Sequence, residues 1–461
     1  MAATRNLGTV LFLFTLAAGL AGVQSKAMAS GRLAPPEEQL QGGSLEPPPL
    51  GSSSTNIPRN AQVMDQSAFA LGTMVWNVIF VQGDGSIQTQ RETWTPSEIA
   101  NIQSKISGAE SYWEGMTAGF NPAARLSINV NYVNGGSPMI TGYEPSTDQS
   151  EVWINSVMNQ LGYNNSSRFT NVRNFNQAQR NANNTNWATT ILVLDNTSAY
   201  LTSYAYAYYG GPFTILENDS AGWGPQNFNM VLSHEMGHIF FANDEYYASG
   251  ARVTDHGGYL NVANTNAERD AAGNRITPPQ LNALMLNNGN YNTHVAFSPS
   301  VPSSQMFGFR DTDADNIPDI LDTPASLTGS NAGSNPNTGF FAFAGNIQVT
   351  QLANLDPLNV GFSNSQSAMT IDTIISACYR LDSGMPVSLP AGDGSYGGYD
   401  ESLSFTIAGL PYGLHAIDVY GFNSVGNSSN TLHYSFNVVP EPATLCLLAM
   451  SGLAVIRRRR K

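Results

Sequence analysis

The sequence is poor in cysteine and in basic residues. Only two of its 461 residues, Cys378 and Cys446, are cysteines, so disulfide bonds do not stabilise this protein and bound metal ions are the alternative. Lysine and arginine number 20 against 34 aspartates and glutamates. No basic patch occurs outside the extreme C-terminus, which argues against nucleic acid as a partner. The acidic, Asn/Ser/Gly-rich composition is typical of a secreted soluble protein.

An apolar stretch near the N-terminus indicates export. It spans 7–23, follows a single arginine, and precedes small residues of the kind found at signal-peptidase sites. We therefore predict a signal peptide over 1–29. Residues 30–66 are rich in Pro, Ser, Gly and Glu and are predicted to be a disordered linker or pro-segment. They contain no cysteine, which excludes a cysteine-switch propeptide.

The C-terminal residues 439–461 form a second distinctive segment. The triplet Pro440, Glu441, Pro442 precedes an apolar segment, 443–456, and then four arginines and a lysine. The apolar segment is short for a membrane span of about 20 residues, and the arginines would hold its end on the cytoplasmic side. As a unit it resembles the PEP-CTERM sorting tail of Gram-negative bacteria. That resemblance implies transient membrane anchoring, cutting by an exosortase, and a destination at the cell surface or extracellular matrix.

The motif around which the chain is organised is H-E-x-x-H, formed by His234, Glu235 and His238. On a helix, residues four apart lie on one face, so both imidazoles can bind one Zn²⁺ with the glutamate beside it as a base. A catalytic zinc needs a third protein ligand. Asp244 stands six residues after His238, and a continued helix would rotate it by about 600°, away from the metal. The helix must therefore end first, and Asn243 is predicted to adopt the left-handed conformation.

The run HEMGHIFFAND resembles the metzincin zinc-peptidase signature, H-E-x-x-H-x-x-G-x-x-H, in the variant whose last ligand is Asp. The resemblance implies zinc on both histidines and Asp244, with Glu235 as general base. Phe241 stands where the family has a glycine, and Glu245 is the alternative third ligand. HEMGH…DEYY is also similar to the bacterial IgA-peptidase family, which keeps an Asp-Glu-Tyr after a slightly longer spacer.

Three further residues are candidates for the same centre. Met285 fits the tight turn with a methionine beneath the metal that metzincins have, and the alternative is a buried core methionine. His256 and His294 are candidate ligands or transition-state donors, and the alternative for each is a surface histidine.

The periodicity before the motif predicts an α/β (α+β) domain over 67–310, with a twisted mixed sheet and an active-site helix. Its order is strand, helix, strand, helix, strand, strand, helix, which matches what a metzincin-like domain would show. The predicted strands and helices are a strand at 74–81, a helix after the capping box at 95–98, a strand at 126–132, a helix at 151–161, a strand at 189–194 and an exposed edge strand at 204–216.

The acidic run 311–322 has the spacing of an EF-hand-type calcium loop. Asn316 replaces the usual glycine, and the last position is Asp rather than Glu. The run resembles the calcium loops of dockerin and thrombospondin type 3 repeats, and the alternative is a solvated acidic linker. The predicted Ca²⁺ ligands are Asp311, Asp313, Asp315, the carbonyl of Ile317, Asp319 and Asp322.

The remaining residues predict a second module. We expect a linker at 323–337 and, from the alternating apolar residues, an all-β sandwich at 338–438. The latter is similar to bacterial Ig-like or fibronectin-like modules. Its expected role is spacing or adhesion, with protein, glycan or matrix as candidate contacts.

The predicted function is a secreted or cell-surface zinc endopeptidase that acts on protein or peptide substrates. Two alternatives remain open from the sequence. One is a non-catalytic adhesion protein in which zinc and calcium only stabilise domains, and the other is a different metal-dependent hydrolysis, such as deacylation.

Overall fold

The computed structural model describes residues 57–89, 91, 93–145, 150–195, 205–219, 224–277, 283–286, 298–358, 367–440 and 449–452. The predicted signal peptide and most of the sorting tail lie outside these residues. The helices are α1 (Pro96–Met116), α2 (Ser150–Gln160), α3 (Arg168–Asn183), α4 (Phe228–Ile239) and α5 (Val301–Met306). The strands are β1 (Thr73–Gly83), β2 (Ser127–Tyr132), β3 (Met139–Thr141), β4 (Trp187–Leu194), β5 (Tyr206–Ala207), β6 (Phe213–Glu217), β7 (His256–Gly257), β8 (Val262–Ala263), β9 (Ser326–Asn331), β10 (Phe341–Gln348), β11 (Ile374–Leu381), β12 (Val387–Leu389), β13 (Asp400–Ile407), β14 (Gly413–Asn423) and β15 (Leu432–Val438).

A mixed sheet forms the centre of the N-terminal part, in the order β2-β1-β4-β6-β5 with β3 also beside β1. All pairs are parallel except β5, which runs antiparallel to β6 at the edge. β1 is buried along almost its whole length, as a central parallel strand covered on both faces should be. The predicted mixed α/β class is confirmed at this level.

Helices cover the two faces of the sheet. α1 begins at the predicted capping box, in which Thr95 and Glu98 bond each other's backbone amides. It packs on α4, where the Trp113 ring lies 5.1 Å from that of Phe240. On the other face, α2 and α3 bury a separate aromatic and aliphatic cluster that includes Trp153. α4, which carries the H-E-x-x-H motif, is thereby fixed between α1 and the sheet.

The segment 204–216 differs from its prediction. It forms two short strands, β5 and β6, and their residues are buried rather than exposed. Gly210 and Gly211 interrupt the aromatic run with φ angles of 72° and 84°, a conformation that disfavours a continuous strand. The prediction of one exposed edge strand is therefore wrong.

The C-terminal part consists of two antiparallel sheets that share one apolar core. The first has the order β13-β10-β9 and the second β12-β11-β14-β15. Phe341 and Ile347 from one sheet pack with Ile417 and Val419 from the other. β9 lies inside the predicted linker 323–337. Leu327 is the one buried residue of β9, and the residues after it are exposed and polar or glycine. The sequence therefore shows no apolar alternation there.

The two parts share a buried interface, in which residues predicted to be disordered participate. The Arg59 guanidinium donates to the carbonyl of Tyr399 at 3.2 Å and pairs with Asp400. The Tyr259 hydroxyl donates to the Leu352 carbonyl at 2.8 Å and accepts from the Met369 amide at 2.7 Å. Residues 57–66 are therefore part of the folded structure, and the prediction of disorder is wrong for them.

Within the ranges that the structure describes, no helix is both long and apolar enough to cross a membrane. The apolar segment 443–456 of the predicted tail falls almost entirely outside those ranges, which include only 449–452 of it.

Candidate metal centre

Two fully buried histidines on α4 point to one place. The rings of His234 and His238 have centroids 5.1 Å apart and are nearly perpendicular. The Nδ1 of His234 donates to the Leu284 carbonyl at 2.9 Å, and that of His238 donates to the Ala242 carbonyl at 2.8 Å. Because a carbonyl only accepts, these bonds place the proton on Nδ1 and leave each Nε2 with a lone pair.

The end of α4 turns the chain back towards the histidines. The amide of Phe241 donates to the His238 carbonyl at 2.9 Å, and the amide of Ala242 donates to the Gly237 carbonyl at 3.0 Å. These are the two bonds of a Schellman motif, with Phe241 in the left-handed position at φ 62°. The prediction that Asn243 would hold this position is wrong. A bulky residue there costs about 1–3 kcal/mol, which the surrounding structure must offset.

This turn brings Asp244 to both imidazoles. Its Oδ1 lies 3.1 Å from Nε2 of His234 and 3.3 Å from Nε2 of His238. Beyond that shared contact, neither Nε2 has a hydrogen-bond partner within the described part of the chain. The edge of a tetrahedron with Zn–N bonds of about 2.0 Å is about 3.3 Å long. Two imidazole nitrogens and one carboxylate oxygen at this spacing fit zinc, and they leave a fourth position open.

Asp244 and His238 each stabilise the charged form of the other. Burial acts against ionisation of Asp244, but His238 and His234 hold the pKa of this carboxyl below its ordinary value. Burial likewise acts to lower the pKa of His238, and the contact with Asp244 outweighs it, so that pKa is raised. A cation bound between them would take the place of the proton.

Glu235 follows the first histidine directly. It is fully buried, and among the described residues no donor reaches its carboxylate oxygens within ordinary hydrogen-bond distance and angle limits. Burial raises the pKa of Glu235 to about 8; His234 and the nearby backbone amide of Ala207 oppose the shift, and Asp244 adds to it. A buried carboxyl group with a raised pKa is suited to accept and return a proton.

Glu245, the alternative third ligand, lies outside this cluster. Its carboxylate accepts hydrogen bonds from Asn266 at 2.7 Å, from Ser303 at 2.6 Å and from Ser300. Burial raises the pKa of Glu245, and these hydrogen bonds oppose the shift. The carboxylate therefore anchors the chain that follows Asp244. No pattern in the sequence pointed to its partners, which lie in the loop after β8 and at the start of α5.

Met285 lies in a tight turn beneath α4. The amide of Leu286 donates to the Ala283 carbonyl at 3.0 Å and closes the turn. A Cβ added to Gly237 would lie 2.5 Å from the Met285 sulfur, so the thioether contacts α4 at the residue that directly precedes His238. The same turn supplies the Leu284 carbonyl that orients His234.

Two aromatic residues that the sequence analysis did not assign to the site pack on its histidines. Tyr209 meets the His238 ring edge-on, with centroids 5.5 Å apart, and its hydroxyl donates to Asn243 at 3.4 Å. Tyr246 lies 6.4 Å from the His234 ring. His256 instead bonds the Thr254 carbonyl outside the cluster. His294 lies outside the described residues.

The acidic run contains a second group of carboxylates. Asp311, Asp313 and Asp315 offer oxygens within 4.8 Å of one another. Asn316 adopts the left-handed conformation expected of it, at φ 71°, and its amide donates to Asp311 at 2.9 Å. The side chain of Ile317 is buried, as a residue contributing only its carbonyl would allow.

The other two predicted carboxylate ligands lie outside this group. Asp319 pairs with Arg310 at 2.6 Å and accepts from Thr312. Asp322 accepts from Asn427 at 2.7 Å.

The fold was compared with solved structures. Wild-type OgpA from Akkermansia muciniphila matches with a TM-score of 0.27 and 10% identity, over 81% of this chain and 94% of that one. A catalytically inactive OgpA in complex with an O-glycopeptide substrate, glycodrosocin, matches with a TM-score of 0.24 at the same identity and coverage. The putative ApaA protein from Bordetella pertussis covers 26% of this chain and 95% of its own, with 14% identity and a TM-score of 0.14. No curated protein matches the sequence.

The C-terminal residues match a known sorting motif. Residues 438–461 match the PEP-CTERM protein-sorting motif. This match confirms the expectation drawn from the Pro-Glu-Pro triplet. The protein carries a sorting tail of the kind processed by an exosortase, which indicates export and transient membrane anchoring in Gram-negative bacteria.

Proposed function

We propose that the protein is a secreted, zinc-dependent endopeptidase with a metzincin-like metal centre. The observation that carries this proposal is the convergence of His234, His238 and Asp244 on one point. The buried carboxyl group of Glu235 interacts electrostatically with His234 and Asp244. A site whose only task was structural would close its fourth position and would have no need of a buried base. This favours the peptidase over a non-catalytic adhesion protein.

The residues of the site divide the chemistry between them. Zinc, when bound, supplies a Lewis acid that promotes ionisation of water and polarises the scissile carbonyl. Glu235 accepts the proton of the attacking water and delivers it to the leaving amine. The Leu284 and Ala242 carbonyls hold the two imidazoles in the tautomer that leaves Nε2 available.

Replacing Glu235 with Gln tests the proposal. The amide keeps the size of the side chain but does not accept the proton, so we expect peptide hydrolysis to fall by about 10²-fold or more while zinc stays bound. The substrates should include casein, unmodified peptides and O-glycopeptides. Glu144→Gln, which also neutralises a buried carboxylate, is the matched control. Equal rates for the Glu235 variant and the wild type would refute the mechanism.

We also propose that Asp311, Asp313 and Asp315 hold a calcium ion. Their convergence and the left-handed Asn316 support this proposal. A ligand at about 100 times its Kd stabilises the folded state by about 2.7 kcal/mol, so Ca²⁺ added after EDTA should raise the Tm. Asp311→Ala should abolish that rise.

Asp270→Ala is the control for the calcium experiment. Asp270 also accepts backbone amides in an exposed turn, and its loss should leave the calcium response intact. Recovery of the full Tm with Zn²⁺ alone would reject the calcium site.

A further inference from the structure

We propose that Phe241 is a positioning residue for the metal centre. Its ring, seated on Gly210, holds the left-handed turn that brings Asp244 to the two histidines. This inference rests on the proposed zinc site and adds a residue that the site's signature does not contain, since the metzincin pattern has glycine at this position.

The ring and the glycine fit closely. A Cβ added to Gly210 would lie 2.2 Å from Cζ of Phe241 and 2.7 Å from its Cε1, so no larger residue fits beneath the ring. Phe241 is 5% exposed. The aromatic side chain is therefore enclosed, and its position fixes the backbone from which it projects.

Backbone hydrogen bonds tie the same two residues to the metal-binding helix. The His238 carbonyl accepts from the amide of Phe241 at 2.9 Å and from that of Gly210 at 3.2 Å. The Phe241 carbonyl accepts from the amide of Gly258 at 3.1 Å. A second ligand of the proposed site thus belongs to the network that holds the turn, and Asp244 follows only three residues later.

Two explanations could account for the role of residue 241 in the turn, and a glycine variant distinguishes them. If only the backbone shape mattered, glycine at 241 would serve as well, because it adopts positive φ without strain. If the enclosed ring holds the turn in place, replacing Phe241 with glycine would leave the turn mobile and allow Asp244 to move away from the histidines. The first explanation predicts unchanged metal affinity in Phe241→Gly, and the second predicts a loss.

The test measures the affinity of Phe241→Gly and Phe241→Ala for Zn²⁺, by competition with a chromophoric chelator. We expect both variants to bind zinc about tenfold or more weakly, the range typical of residues that orient metal ligands. Wild-type affinity in a folded Phe241→Gly would overturn the role of the ring and leave the metal centre standing. Absence of zinc binding by the wild type would overturn both.

Two control variants separate positioning from general damage. Phe175→Ala removes a similarly buried aromatic ring, 3% exposed, from the other core, and should lower stability without changing zinc affinity. Asn134→Gly replaces another left-handed residue, at φ 54° in an exposed turn, and should change neither. A loss of zinc affinity in either control equal to that of the Phe241 variants would overturn the proposal.

A double-mutant cycle keeps the proposal testable if Phe241→Ala does not fold. Gly210→Ala places a methyl group against the ring, and should weaken zinc binding in the wild-type background. In the Phe241→Gly background the methyl group meets no ring and only the strain of alanine at a φ of 72° remains, so its additional effect should be smaller than in the wild type. Strictly additive effects would overturn the contact as the cause.

Discussion

The Cα of Gly237 faces the sulfur of Met285, at a distance that leaves no room for a side chain. A Cβ at this position would lie 2.5 Å from the sulfur, 3.1 Å from the terminal methyl carbon and 3.3 Å from the Phe307 ring. α4 and the turn beneath it are therefore in direct contact, because residue 237 is glycine.

Gly237→Ala should destabilise the protein. The added methyl group forces the buried thioether aside, which costs about 1–3 kcal/mol, while alanine recovers about 0.5–1 kcal/mol of helix propensity. We expect a net loss of about 1–2 kcal/mol in urea unfolding. Gly108→Ala in α1 is the control, because its Cβ would meet Asn229 at an ordinary 3.6 Å. A stabilised Gly237→Ala would show that the contact is loose.

Changing Asp244 and Glu245 separately should identify the third ligand. We expect about one zinc per chain in the wild type, by elemental analysis, and almost none in Asp244→Ala. Glu245→Ala should retain zinc but unfold more easily, because the hydroxyls of Ser300 and Ser303 lose their acceptor. Zinc lost only with Glu245 would move the ligand by one residue and weaken the metzincin assignment.

The contact between the two parts of the protein should contribute measurably to stability. Tyr259→Phe removes a hydroxyl that donates to the Leu352 carbonyl and accepts from the Met369 amide, and leaves the buried amide and the partly buried carbonyl without this partner. The expected cost is about 1–3 kcal/mol. Tyr412→Phe, at a side chain 65% exposed, is the control and should change the free energy of unfolding little. Equal effects of the two variants would mean that the interface is not stabilised in this way.

His415 should give the C-terminal sheets a pH-dependent stability. Its Nδ1 lies 2.6 Å from Asp382 and its Nε2 lies 2.9 Å from the Pro411 carbonyl, and neither partner donates, so both bonds require the imidazolium. The Pro411 carbonyl and then Asp382 raise the pKa of His415. The folded pKa thus exceeds the unfolded value of about 6.5, so the stabilisation is complete below that pH and is lost as the pH rises through the folded pKa.

Unfolding of the wild type and His415→Gln at pH 5.5 and pH 8.5 checks this prediction. The wild type should exceed the variant in stability more at the lower pH. His433→Gln is the control, because its side chain is 73% exposed and exposed pairs contribute little. A difference between wild type and His415→Gln that stays constant with pH would contradict the assignment.

The elements that could be predicted from the sequence carry their own local signals. β1 is an uninterrupted apolar run, and α1 begins with a capping box. α3 has no such signal, because its buried face includes arginines. The guanidinium of Arg180 donates to the Asp65 carbonyl at 2.7 Å, and the Arg173 carbonyl accepts from Gln66. Asp65 and Gln66 lie in the segment 30–66 that was predicted to be disordered, so nothing in the sequence indicated that α3 had partners there.

The candidate site likewise combines features that the sequence predicts with one that it does not. The spacing of His234 and His238 predicts that they share one helix face, but it left Asp244 and Glu245 as alternatives for the third position, and the structure brings Asp244 to the histidines. The left-handed Phe241 was not predictable from its own residue type, which disfavours that conformation. The cost of this conformation is offset by packing of the ring against Gly210, which lies between β5 and β6, about thirty residues earlier in the chain.

All three proposed ligands lie within the single stretch 234–244. A metal bound there closes only a short loop of chain, so it removes little conformational entropy from the unfolded state. The tertiary contacts that surround α4 are made by the polypeptide itself, including the Leu284 carbonyl that orients His234. We therefore expect the exported chain to be able to fold before it binds the proposed ion, because the contacts that position α4 do not depend on the metal.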